Sequence, residues 1–258
     1  MSAVPVHPPA RGARERGCAI GRGGPFSGNT MKRGHPFFIS FEGGEGAGKT
    51  TQIGLLAARL RSQGRVVTET REPGGGSLGM PIRRLLLDAR NQGLDAMAEL
   101  MLIEAQRAQH VRDVIRPALA AGHVVLTDRY TDSTTAYQGG GRRLDRKLVE
   151  SLNHAATGGL APDLTLLLDV PIERGLTRAR ARNAGSSRSE REGRFEAEAL
   201  AFHRRVRREF QRLARTEPRR FQVVRADRSI EDVAAAIGGI VEDRLAQRPR
   251  SVRARTRS

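Results

Sequence analysis

Apolar residues follow two alternating rhythms along the chain. Short runs of five to seven residues recur at Phe37–Phe41, Arg65–Thr70, Val124–Asp128, Leu164–Val170 and Phe221–Arg225. Runs this short, apolar at successive positions, predict strands buried on both faces. Between them, apolar residues are spaced three and four apart over Lys49–Gln63, Leu78–Asp88, Asp95–Ala121, Leu144–Thr157, Ile172–Arg182, Phe195–Thr216 and Ile230–Leu245. That spacing predicts amphipathic helices. Strand alternating with helix predicts an α/β fold, three layers deep, with helices on both faces of a parallel sheet. Such sheets bind ligands beyond the carboxyl ends of their strands, so the chemistry is sought in the loops there.

The rhythm fails at both ends. Residues 1–30 are rich in Gly, Pro and Arg and lack the apolar middle of a signal peptide. Met31-Lys32-Arg33 leads directly into the first strand. We therefore expect a disordered basic leader over 1–33, with Met31 as the true start, one domain over 34–246, and a disordered basic tail over 247–258.

Composition narrows the function classes. The net charge of +17 suggests a polyanionic partner, but +3 of it lies in residues 1–30 and +5 in residues 247–258. Tryptophan is absent and only 4% of residues are aromatic, which disfavours a stacking platform, so no specific nucleic acid is expected. Cys18 is the single cysteine and no two of the six histidines form an H-x-x-x-H pair, which argues against a disulfide or a Cys/His metal cluster. No apolar run approaches the roughly 20 residues of a membrane span, and the cytoplasm is the expected compartment.

The loop after the first strand carries the strongest signal. Gly43-Gly44-Glu45-Gly46-Ala47-Gly48-Lys49-Thr50 fits G-x-x-x-x-G-K-[ST] and sits between a predicted strand and a predicted helix. Its glycines let backbone N–H groups converge on phosphates at a helix N-terminus. Lys49 can reach the β- and γ-phosphates, and the Thr50 hydroxyl can ligate Mg²⁺. Only three lysines accompany 42 arginines, so a lysine here points to a need for a compact ammonium.

Other strand ends add candidates. Asp128 and Asp169 each close an apolar strand and compete to organise the metal; Arg129 beside Asp128 favours the former. Arg71-Glu72-Pro73 precedes three glycines that suit close approach to a ligand. Ile103 and Arg107 share a helix face and could meet a base and its polar edge, against the plainer reading of packing plus a surface charge. Residues 178–194 carry six arginines around Gly185-Ser186-Ser187, either a flap that closes over phosphates or a solvated basic loop.

Together, Phe41–Thr51, Thr70–Gly75, Asp128–Arg142, Pro162–Val170 and Arg178–Arg182 resemble the corresponding strings of bacterial thymidylate kinases, from about Pro36 to Leu245. The resemblance implies a P-loop kinase fold with strand order 2-3-1-4-5 and an arginine-bearing lid over about 178–196. It implies Mg²⁺-dependent transfer of the ATP γ-phosphoryl group to dTMP, and a homodimer packed through long helices. It implies that Gly43–Thr51 bind ATP, with Glu45 near the deoxyribose 3′-hydroxyl. It implies that Arg71, Glu72 and Pro73 form the acceptor-side loop, whose proline is often cis in the family. It further implies that Ile103, where an aromatic residue is common, and Arg107 meet the thymine, that Arg129 holds the acceptor phosphate, and that Ser133, Thr134, Tyr137 and Gln138 line the nucleoside pocket. Lys49, Asp128 and Arg129 are then catalytic, with Thr50 and Asp128 at the metal, partly through water. Arg194 best matches the lid's catalytic arginine, with Arg180 a helper. The alternatives are another pyrimidine nucleoside monophosphate kinase, a P-loop protein that binds nucleotide or nucleic acid, and a catalytically silent relative.

Overall fold

Five parallel strands, β1 (Phe37–Glu42), β2 (Val67–Arg71), β3 (Val124–Asp128), β4 (Leu164–Asp169) and β5 (Phe221–Arg225), form one sheet in the order β2-β3-β1-β4-β5. This is the order the resemblance implies. The structure is a computed structural model and describes residues 35–184 and 193–247. The expected leader, the tail beyond Gln247, Cys18, Met31 and the lid arginines Arg188 and Arg191 lie outside the described residues.

Alternation along the strands builds two cores. Phe37, Ile39 and Phe41 point to one face, where they join Leu126, Leu164 and Leu166 under α1 (Lys49–Ser62) and α9 (Ile230–Ala246). Phe38 and Val125 point to the other face, against Val111, Ile115 and Tyr130. Beside them, Leu167 and Phe221 pack on Phe202, Val206 and Phe210 of α8 (Leu200–Thr216). Both faces are covered, which is why the strand sequences read as continuous apolar runs.

Helix ends follow local chemistry. Asp95 caps α3 (Ala96–His110) by accepting from Met97 N at 2.8 Å and Ala98 N at 3.2 Å. The predicted helix Asp95–Ala121 is not continuous: a π-helical turn, Val111–Ile115, separates α3 from α4 (Arg116–Ala120). Pro117 explains the widening, because its ring lacks an N–H and crowds the carbonyl four residues back. The predicted helix Phe195–Thr216 begins only at Leu200, residues 194–197 forming turns. The segment with no predicted element, 131–141, is helical: α5 (Thr131–Thr134) runs into a π-helical stretch, Thr135–Gly141. Helices α2 (Gly79–Leu87), α6 (Arg146–Thr157) and α7 (Ile172–Ala184) complete the framework.

The loop after β1 is pressed between β4 and α7. At Gly46, with φ +65°, a Cβ would sit 2.0 Å from the Gly175 carbonyl oxygen. At Gly43, with φ +135°, it would sit 2.4 Å from the Leu168 carbonyl oxygen. Only glycine fits both positions. Gly46→Ala is expected to cost about 1–3 kcal/mol in urea unfolding; wild-type stability would contradict this packing.

Candidate active site

The pairing of β1 with β3 sets Phe41 opposite Asp128, so the two loops that carry the chemistry leave the sheet side by side. Gly48, with φ +88°, starts α1, whose first turn has no side-chain cap among the described residues. Its free amide donors form an anion cradle. Lys49 lies beneath the loop and donates to the carbonyls of Gly43 (3.1 Å) and Gly44 (3.0 Å). Burial, then the charge of Arg129, lowers its pKa. The Thr50 hydroxyl donates to Asp128 Oδ2 at 2.8 Å. Asp169 instead accepts both arms of Arg207, at 2.7 and 2.9 Å, which separates the two candidate carboxylates.

Arg129 is the hub. Its backbone is in the left-handed region, φ +72°, with its N–H donating to Phe41 O at 3.0 Å. From there its guanidinium donates to Gly43 O (3.1 Å), Ser133 Oγ (3.1 Å), Glu45 Oε1 (2.8 Å) and Tyr137 Oη (3.0 Å). Tyr137 in turn donates to Glu45 Oε1 at 2.8 Å, and burial pushes its own pKa up, so it stays a neutral donor. Burial alone would raise Glu45, but Arg129 and then Lys49 outweigh it and hold its carboxyl down at about 2. The result is a charged floor with fixed donors.

A second network lies further along the same cavity. Arg107 is 1% exposed and donates to Glu72 Oε2 (2.7 Å), Glu104 Oε1 (2.7 Å), Asn153 Oδ1 (2.8 Å) and Thr134 Oγ1 (2.9 Å). It is no surface charge, which corrects the plainer sequence reading. Ile103, 9% exposed, packs with Ile82 and Leu86. The Glu72-Pro73 peptide is cis.

These groups surround one cavity of about 560 Å³. Glu45–Thr51, Arg71, Glu72, Pro73, Ile103, Arg107, Asp128, Arg129, Ser133, Thr134, Tyr137 and Gln138 all line it. Gly43 and Gly44 lie behind the loop, facing Leu168 and Asp169. Two expected arginines are not brought to the cavity either. Arg180 is exposed on α7 and is not among the lining side chains. Arg194 is 2% exposed; it is ion-paired with Glu99, donates through Nε to Leu86 O at 2.6 Å, and stacks on the Phe195 ring at 4.7 Å. An interior carboxylate holds it, so in this structure it does not present charge to the cavity. Sequence reasoning passed over Arg182, Phe195, Glu196, Leu86 and Leu87, which do line the cavity. Arg182 stood out only as one of many arginines, and the leucines read as ordinary core.

Glu42 closes β1 beneath this floor. It is fully buried and accepts from Tyr130 N (2.8 Å) and from Ser133 Oγ (2.5 Å). Burial, then Asp132, pushes its carboxyl up to about 8. The folded protein then holds a proton that the unfolded chain releases near 4.5. Stability should therefore fall as pH rises from about 4.5 to about 8 and level off above. Melting curves of wild type and Glu42→Gln across pH 5–9 test this: the variant should gain relative to wild type up to about pH 8. Parallel curves would mean the carboxyl is ionised throughout.

Comparison with known proteins agrees with the geometry. The family model for thymidylate kinase matches residues 41–237. Thymidylate kinase of Solidesulfovibrio magneticus is 55% identical over 204 residues, covering 79% of this chain and 98% of that protein. Thymidylate kinase of Desulfovibrio desulfuricans is 54% identical over 215 residues, covering 83% of this chain and 99% of that protein. The crystal structure of thymidylate kinase from Ehrlichia chaffeensis aligns with a TM-score of 0.64 at 33% identity, over 80% of this chain and 98% of that one. With the P-loop, the Asp128-Arg129 pair and the acidic-arginine pocket around one cavity, the chain belongs to the thymidylate kinase family.

Proposed function

We propose that the protein transfers the γ-phosphoryl group of ATP to the phosphate of dTMP, yielding dTDP and ADP, a step toward dTTP. The observation that carries this reading is the shared cavity: the P-loop at one end, the Arg107 pocket at the other, and Arg129 between them. The family assignment supports the same substrates.

The assigned roles follow from position. The amides of Gly46–Thr50 and the Lys49 ammonium hold the donor phosphates. Arg129 holds the acceptor phosphate, its aim fixed by Glu45, Ser133 and Tyr137. The nucleophile is an ionised phosphate oxygen that attacks the γ-phosphorus as the bond to the β-bridging oxygen breaks. It needs no general base, so alignment and charge stabilisation are the main work. Ile103 covers one side of the base and Arg107 faces its polar edge. Arg71, Glu72, Pro73, Thr134 and Gln138 complete the pocket. Glu45 is assigned to the sugar hydroxyl. Among the lid arginines we assign the cavity-facing cation to Arg182, which lines the cavity and lies 3.7 Å from Glu196.

Mg²⁺ fits the pair of hard oxygens that Thr50 and Asp128 present to the cavity. Among the described residues no group of three or more acidic, His or Cys side chains could hold a metal ion. When bound it would neutralise charge on the donor phosphates. No described helix is long and apolar enough to cross a membrane. The reading includes a cytoplasmic location, where the family's substrates are made, and a homodimer. What supports the dimer is the set of exposed apolar side chains Met80 and Leu85 on α2, Met101 on α3 and Leu148 on α6.

ADP release with MgATP should be fastest with dTMP among dTMP, dUMP, UMP and CMP. Equal rates on CMP would overturn the substrate assignment. Lys49→Ala should lower kcat by about 10³-fold or more with a wild-type melting curve; near-normal turnover would remove the P-loop from the mechanism. Light scattering should give twice the chain mass, and a monomer would refute the dimer.

A further inference from the structure

Glu99, in the first turn of α3, is 0% exposed and is not part of the cavity wall. Four donor groups from three residues, Gln138, Arg142 and Arg194, nevertheless converge on its carboxylate. Gln138 Nε2 donates to Oε1 at 2.7 Å. Arg142 grips both oxygens, Nε to Oε1 at 3.2 Å and Nη2 to Oε2 at 3.1 Å. Arg194 Nη2 donates to Oε2.

The donors lie on two parts of the proposed site. Gln138 lines the nucleoside end of the cavity, and its bond to Glu99 fixes which way its amide faces. Arg194 opens the C-terminal stalk of the lid, and the next two residues, Phe195 and Glu196, line the cavity. The stalk is tied to α2 as well, through the backbone amides of Gly193 and Arg194 on Leu87 O at 3.2 and 3.3 Å. At its far side Glu196 faces Arg182 at 3.7 Å. Arg142 extends the cluster to Glu198 at 2.5 Å, just before α8. A single buried carboxylate thus links the base pocket to the segment whose Glu196 faces the cavity-lining Arg182.

We propose that Glu99 is a positioning residue that clasps the lid stalk to the acceptor pocket, so that transfer depends on it although it touches neither nucleotide. The inference rests on the kinase reading above. It also gives Arg194 a role without contact: the guanidinium is the stalk's half of the clasp. A buried charge left without its partner is costly, so the carboxylate and Arg194 hold each other in register.

The test compares the full-length protein with Glu99→Gln, Glu99→Asp and the double variant Glu99→Met/Arg194→Met, using steady-state kinetics and thermal melts. Wild-type turnover of dTMP is measured first; its absence would defeat the kinase reading and not this inference. In Glu99→Gln, kcat should fall about 10–100-fold and the KM for dTMP should rise, while the KM for ATP stays within about 3-fold because the P-loop is untouched. Glu99→Asp should restore part of kcat. If Glu99→Gln fails to melt cooperatively, the double variant decides, since it removes both charges together. A folded double variant with depressed kcat and normal KM for ATP supports the clasp. Wild-type kcat in either folded variant overturns it. Failure of both to fold also overturns it, because the cluster would then serve the fold alone.

Discussion

Strands β1 and β3 pair in parallel with Phe41 opposite Asp128, and the site hangs on that register. The register places the first amides of α1 beside Asp128 and Arg129. A shift of one residue would turn Asp128 to the opposite face of the sheet. The apolar faces specify it: Phe37, Ile39 and Phe41 must meet one core and Phe38 the other. The same side chains that bury the sheet therefore aim the chemistry.

Above that register the site is built from charges out of water, each with several partners. Arg129 has four acceptors, Arg107 four and Glu99 four donors. Isolated buried ion pairs often stabilise little, because desolvation offsets their attraction. What these networks supply is fixed geometry. An arginine already aimed and desolvated need not reorganise when charge develops on a transferring phosphoryl group.

Much of this was legible in the sequence. The five strands, their parallel arrangement and the P-loop follow from apolar runs and one glycine pattern, because both signals are local. Apart from Gly43 and Gly44, the nucleotide-pocket residues named from the P-loop pattern and the resemblance line a single cavity. The helical stretch 131–141 was not foreseen: Thr134-Thr135 and Gly139-Gly140-Gly141 are poor helix formers. Tertiary contact with α8 overrides them, since a Cβ at Gly141 would lie 2.5 Å from the Phe202 ring. Arg194 shows the opposite limit. Its neighbours in sequence suggest a lid cation, but its partner, Glu99, is 95 residues away and nothing local reveals it.

The central claim is that two nucleotides are held in line within one cavity, with Arg129 between them. The direct measurement is a crystal structure with a non-hydrolysable ATP analogue, Mg²⁺ and dTMP bound together. The account predicts the γ-phosphorus about 3–3.5 Å from an acceptor phosphate oxygen, in line with the bridging oxygen. Lys49 should have left the Gly43 and Gly44 carbonyls for the phosphates, and Arg129 should contact the acceptor phosphate. An acceptor phosphate bound away from Arg129, or an analogue seated outside the Gly46–Thr50 amides, would contradict it.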